Sequence, residues 1–143
     1  MKKTFIEMKL FQVKLDRLEQ FEAKIEEMSA NQLKCEGCIS LKYFKRFYTI
    51  DGIELGEPPR ELTRIVKCVK YYSYWEFDTK ENYGKAIKAY FDQYNKDLQK
   101  LLIAPPHNVK RKSLTIMAFF VSQQWELQQM NHGYGHISAL NAP

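Results

Sequence analysis

A chain of 143 residues is the size of one domain, and 45% apolar with 14% aromatic residues is enough for a sizeable core. No stretch has low complexity or the length of a membrane span, and the opening MKKTFIEMKLF carries acids and lysines where a signal peptide needs an apolar run. Three cysteines, an odd number, fit a reducing compartment, so a cytoplasmic setting without membrane contact is expected; a net charge of +5 is too mild to argue for nucleic acid.

Residues 4–15 read as a first strand, with Phe5, Ile6, Met8, Leu10, Phe11 and Val13 spread over both faces. Asp16 is expected to end it and cap a helix, with Glu19 three residues on as the acid of a capping box. Leu18, Phe21, Ile25 and Met28 form the buried stripe of that helix, and Asn31 is the expected stop. A second strand over residues 38–50 sets Ile39, Leu41, Tyr43 and Phe47 against Ser40, Lys42 and Arg46. Residues 51–60, with Asp51-Gly52 and Pro58-Pro59, read as a loop longer than a tight hairpin requires.

The most informative stretch is residues 64–102, read as one long strand, an Asp and one long helix. Ile65, Val69, Tyr71, Trp75 and Phe77 occupy one face of the strand, and Val66, Cys68, Tyr72 and Tyr74 the other. Both faces are apolar, so a helix layer on one side leaves the second in need of a cover. Asp78 is the expected N-cap, followed by the stripe Tyr83, Ile87, Tyr90, Phe91, Tyr94, Leu98 and Leu101. Pro105-Pro106 breaks the helix, and residues 114–121 (LTIMAFFV) read as a fourth strand; residues 125–143 receive no assignment.

An internal echo supports this parsing. Residues 15–25 and 77–87 each have an apolar residue, Asp, Glu three later, an aromatic five later and Ile nine later, both at a strand-to-helix junction. Strand-helix-strand twice over gives βαββαβ, an α+β ferredoxin-like fold with a four-stranded antiparallel sheet. Residues 1–124 form that domain and 125–143 a C-terminal tail. The uncovered apolar face of the sheet predicts a homodimer.

Glu36-Gly37-Cys38-Ile39-Ser40 leading into strand two, and Tyr74-Trp75-Glu76-Phe77-Asp78 at the second junction, resemble the dimeric α/β-barrel superfamily, most nearly its antibiotic-biosynthesis-monooxygenase-like members. The resemblance covers roughly residues 4–122. It implies two sheets packed face to face in a homodimer, a pocket between sheet and helices in each subunit, and either cofactor-free oxidation of polyketide-like aromatics, heme degradation or no known activity. The heme-degrading branch uses an amide on strand one, a Trp at the junction and a His on helix two. Trp75 matches the Trp and Gln12 lies near the amide position, but Lys85 falls where the His belongs. The chain also departs from the family at residues 51–60, in its long second helix and in its tail.

Other chemistries find less support. Cys35-Glu-Gly-Cys38 follows a helix and precedes a strand, the reverse of the context that activates a redox dithiol. Together with His132 and His136 it offers half-sites of zinc-like spacing, far apart in sequence; small cysteines at a strand start are usually packing, and neither metal nor cofactor is expected. RNA-recognition modules share the βαββαβ order, but their glycine-bearing signature is absent, and Lys67 and Lys70 read as a solvated edge. No Ser-His-Asp order, paired carboxylates, P-loop or dinucleotide fingerprint is present. The expected function is binding of a small hydrophobic or aromatic molecule, extending to cofactor-free monooxygenation, with a non-catalytic dimeric interaction protein as the alternative. The expected ligand-binding residues are Trp75, Tyr71, Tyr43, Phe11 and Gln12, with Tyr72 and Tyr74 as further aromatic neighbours. The same rings would serve equally as ordinary core and interface.

Overall fold

The computed structural model of the chain describes residues 3–63, 67–108, 121–129 and 135–141. Strands β1 (Phe5–Lys14), β2 (Cys38–Arg46) and β5 (Cys68–Phe77) form the centre of an antiparallel sheet, with β5 in the middle. Helices α1 (Leu18–Leu33) and α2 (Lys80–Leu101) pack on one face of it. Two helices on one face of an antiparallel sheet, with β5 between β1 and β2, is the ferredoxin-like arrangement expected from the pattern. Two-residue β6 (His107–Asn108) pairs with β1 at one edge; at the other, β7 (Val121–Gln129) pairs with β2 and β8 (Gly135–Asn141) with β7. The C-terminal stretch that carried no assignment thus extends the sheet. The expected fourth strand over residues 114–121 lies outside the described residues except for Val121, which opens β7, and so do residues 64–66 of the expected long strand.

The alternation of β1 and β5 sorts the core. Phe11 and Val13 of β1, and Val69, Tyr71, Trp75 and Phe77 of β5, are buried on the helix side. Phe21, Ile25 and Met28 recur at helical spacing on α1 and are fully buried against them, each contributing about 1.5–3 kcal/mol. On α2 the buried line is Ala86, Tyr90, Tyr94, Leu98 and Leu101. The opposite face of the sheet carries Ile6, Met8, Leu10, Phe44, Tyr72 and Tyr74, with Ile6 44% exposed.

Several local expectations are corrected. A 3₁₀ turn, Leu15–Arg17, precedes α1, and Arg17 is the N-cap without a side-chain hydrogen bond; Asp16 is absorbed into the turn and does not cap. The helix runs past Asn31 to Leu33, because Gln32 and Leu33 still bury on the core side. At α2 the cap is Thr79, whose Oγ1 accepts from the Asn82 amide at 3.1 Å; Asp78 instead accepts from the Asn82 side chain at 2.9 Å. A β-bulge between Cys38 and Ser40 turns Ile39 outward, 43% exposed, so it leaves the alternation with Leu41 and Tyr43. The second strand ends at Arg46. Short β3 (Tyr48–Thr49) pairs with β4 (Arg60–Glu61), making residues 51–59 the tip of a ribbon. Phe91 is 59% exposed, off the buried line of its helix. Among the described residues no helix is long and apolar enough to cross a membrane.

Candidate functional site

Where α1 ends and α2 passes over the sheet, the two helices leave a cleft of about 170 Å³. Its lining comes from Asn31 and Gln32 in the last turn of α1, Cys35 just beyond it, Trp75 of β5, and Ala86, Ala89, Tyr90, Gln93 and Tyr94 of α2. The space has a local cause. Ala86 and Ala89 are the small residues on this part of α2, so the helix cannot fill the volume above the Trp75 ring.

The walls are stiff. Trp75 is 1% exposed and touches Phe77 at 4.7 Å and Tyr90 at 5.9 Å between ring centroids; Tyr90 meets Tyr94 at 5.4 Å. The Asn31 amide donates to the Tyr94 hydroxyl, and the Tyr43 hydroxyl donates to Gln32 Oε1 at 2.6 Å. Beside the cleft, buried Glu7 accepts from the Tyr83 hydroxyl and pairs with Lys9 at 3.3 Å, whose ammonium lies 4.8 Å from the centre of the Tyr90 ring.

Among the described residues no charged side chain lines the cleft itself. Burial raises the Tyr90 phenol well above its usual acidity range, with the Tyr43 and Glu7 charges adding to it, and burial raises the Cys35 thiol. The lining therefore offers neutral donors and acceptors at neutral pH. Two are unspent. Trp75 Nε1 and the Tyr90 hydroxyl make no hydrogen bond of normal geometry. The Trp75 N–H faces the Cys38 thiol, a weak acceptor, and the Tyr90 hydroxyl faces that of Tyr43.

Trp75 is thus a wall of the cleft. Phe11, Tyr43 and Tyr71 share its sheet face but pack beneath α1, with Phe11–Phe21 at 5.4 Å, Phe21–Tyr71 at 4.8 Å and Phe11–Tyr43 at 6.2 Å, and they do not line the cleft. Tyr43 reaches it through Gln32. Gln12 belongs to the opposite face, where its side chain meets the Cys68 thiol at 4.0 Å while its carbonyl accepts from the Ile103 amide. Sequence reasoning missed Gln32, Tyr94 and Glu7. Gln32 had a legible signal: it lies four residues beyond Met28, a polar group on an apolar stripe.

Cys35 and Cys38 are free thiols, and burial pushes Cys38 up to about 11, opposed by its contact with Trp75. Among the described residues no group of His, Cys, Asp and Glu is placed to hold a metal ion. His132 lies outside the described residues.

No family model matches the chain, and no curated protein matches it. A solved structure does: "Putative antibiotic biosynthesis monooxygenase from Nitrosomonas europaea" superposes with a TM-score of 0.52 over 76% of this chain and 88% of that one, at 13% identity. At that identity the likeness is one of fold.

Proposed function

We propose, for a chain that folds as an antibiotic-biosynthesis-monooxygenase-like protein folds, that it is a homodimer binding one small aromatic molecule per subunit in the cleft beside Trp75. The observation that carries this is the apolar cleft walled by Trp75, whose buried indole N–H meets the Cys38 thiol, a weak acceptor, in place of an oxygen. A buried donor facing a weak acceptor gains from a ligand that brings an oxygen. A volume of about 170 Å³ suits a single ring, since an apolar cavity of about 150 Å³ holds benzene. A phenol fits both demands: a flat apolar ring, and an oxygen for Trp75 and the Gln32 amide to meet. The homodimer reading is supported by the second face of the sheet, where Ile6, Met8, Leu10 and Phe44 offer an apolar surface.

The fold likeness supports a second reading, in which the bound ring is oxidised. A phenol and O₂ can give a quinone and one water with no outside reductant, so such a step needs no resident cofactor. It does need the phenol proton removed. The neutral lining favours binding over oxidation, because Glu7, the one buried carboxylate nearby among the described residues, is already held by Tyr83 and Lys9. Light scattering at micromolar concentration should report about twice the 17.0 kDa chain mass, and a stable monomer contradicts the dimer. Phenol binding without oxygen uptake fits the binding reading; uptake matched to quinone formation fits the second.

A further inference from the structure

We propose that Tyr90 sets the size of the ligand this protein accepts, an inference that rests on reading the cleft beside Trp75 as the binding site. Tyr90 is the common wall of two clefts. On its far side lies a second one, of about 130 Å³, between α2, Lys9 of β1 and the segment after the helix, lined among others by Phe91, Leu98 and Pro105-Pro106. The partly exposed Phe91, which the helical stripe would have buried, belongs to this second cleft.

The ring of Tyr90 is held on every side that matters. Trp75 and Tyr94 pack against it at 5.9 and 5.4 Å, and the Lys9 ammonium, fixed by its pair with Glu7, lies over it at 4.8 Å. The side chain is 7% exposed. A ring clamped in this way is a fixed partition, because moving it would break aromatic, cation-π and packing contacts together.

The Trp75 cleft alone has room for one ring. Joined, the two clefts approach the roughly 300 Å³ at which pockets for larger ligands begin. Removing the phenol ring of Tyr90 opens one cleft into the other. The Trp75 side keeps its donors, and the Lys9 side adds apolar walls of Leu98 and proline. The wild-type protein therefore selects single-ring aromatics, and the barrier to fused bicyclic ones is this one side chain.

The test is calorimetric titration of the full chain with phenol and with naphthol, for wild type, Tyr90→Phe, Tyr90→Leu and Tyr90→Ala, each checked for folding by thermal melting. Tyr90→Leu keeps apolar volume and guards against an unfolded alanine variant. Wild type and Tyr90→Phe should prefer phenol, because the ring remains. Tyr90→Leu and Tyr90→Ala should shift the ratio of affinities toward naphthol by about tenfold or more. Phenol bound by wild type with no shift in any folded ring-deletion variant overturns the partition while leaving the binding site standing. No phenol binding to wild type overturns both.

Discussion

The Tyr43 hydroxyl donates to Gln32 Oε1 over 2.6 Å, tying the middle of β2 to the last turn of α1 at the edge of the cleft. Both side chains are buried, Tyr43 completely. The bond therefore fixes a cleft wall from a residue that does not line it.

Alkaline pH should weaken the fold. Burial raises Tyr43 far above its ordinary value of 10.0, with the Gln32 hydrogen bond opposing, and burial raises Tyr71 and Tyr83 as well. Cys38 moves from 9.0 to about 11. Groups that hold their protons more tightly folded than unfolded contribute nothing while both states are protonated. As pH rises past the unfolded values, only the unfolded chain ionises and stability falls. Melting temperature should be level near neutrality, begin to drop above about pH 9 with Cys38, and drop more steeply above about pH 10 with the tyrosines. Tyr43→Phe should start lower and lose less across the same range. An equal slope in both proteins would contradict the assignment to Tyr43.

Glu7 offers a test in the core. It is 5% exposed, accepts from Tyr83 and pairs with Lys9, which is itself largely buried. Glu7→Ala leaves that ammonium without its carboxylate and should cost about 3–5 kcal/mol in denaturant unfolding; Glu7→Gln, which still accepts from Tyr83, should cost less. A loss under about 1 kcal/mol for the alanine variant would mean that the pair is effectively solvated.

Gly37 should tolerate no side chain. Its φ is +83°, and an added Cβ would lie 2.2 Å from Asp78 Oδ1 and 2.9 Å from Asn82 Cβ, the latter close to the α2 backbone. Its carbonyl also accepts from the Asp78 amide at 2.9 Å, joining the α1–β2 turn to the β5–α2 junction. Gly37→Ala should cost more than about 2 kcal/mol, combining left-handed strain with the clash. Asp78→Ala in the same chain should recover part of it, since the nearest obstacle is then gone. Additive losses would show that the clash is not with Asp78.

Much of this architecture is legible from side-chain period alone. Phe21, Ile25 and Met28 announce a helix, and Val69, Tyr71, Trp75 and Phe77 a strand, because each set repeats at the spacing of its element and then buries. Boundaries slip by a residue where two chemically similar groups compete, as Asp78 and Thr79 do for the cap of α2. Ile39 misleads because a bulge resets the alternation without leaving a glycine or proline at the position to mark it. The site was harder to read. Aromatic residues on one sheet face look alike in sequence, and what separates Trp75 from Phe11 or Tyr71 is which helix lies above it and how small that helix is there, at Ala86 and Ala89. A lone charge in an apolar strand reads as a surface residue, so Glu7 becomes visible only once its partners Tyr83 and Lys9 are in place.

The most direct test of the central claim is titration of the protein with phenol, wild type beside Trp75→Phe, with thermal melting of both. Phenylalanine keeps most of the apolar area and removes the indole N–H. If Trp75 is a ligand contact, wild type binds phenol and the variant loses about tenfold or more in affinity, while its melting temperature changes little. If Trp75 is only core, wild type binds no phenol and Trp75→Phe simply melts earlier, and that result would contradict the account.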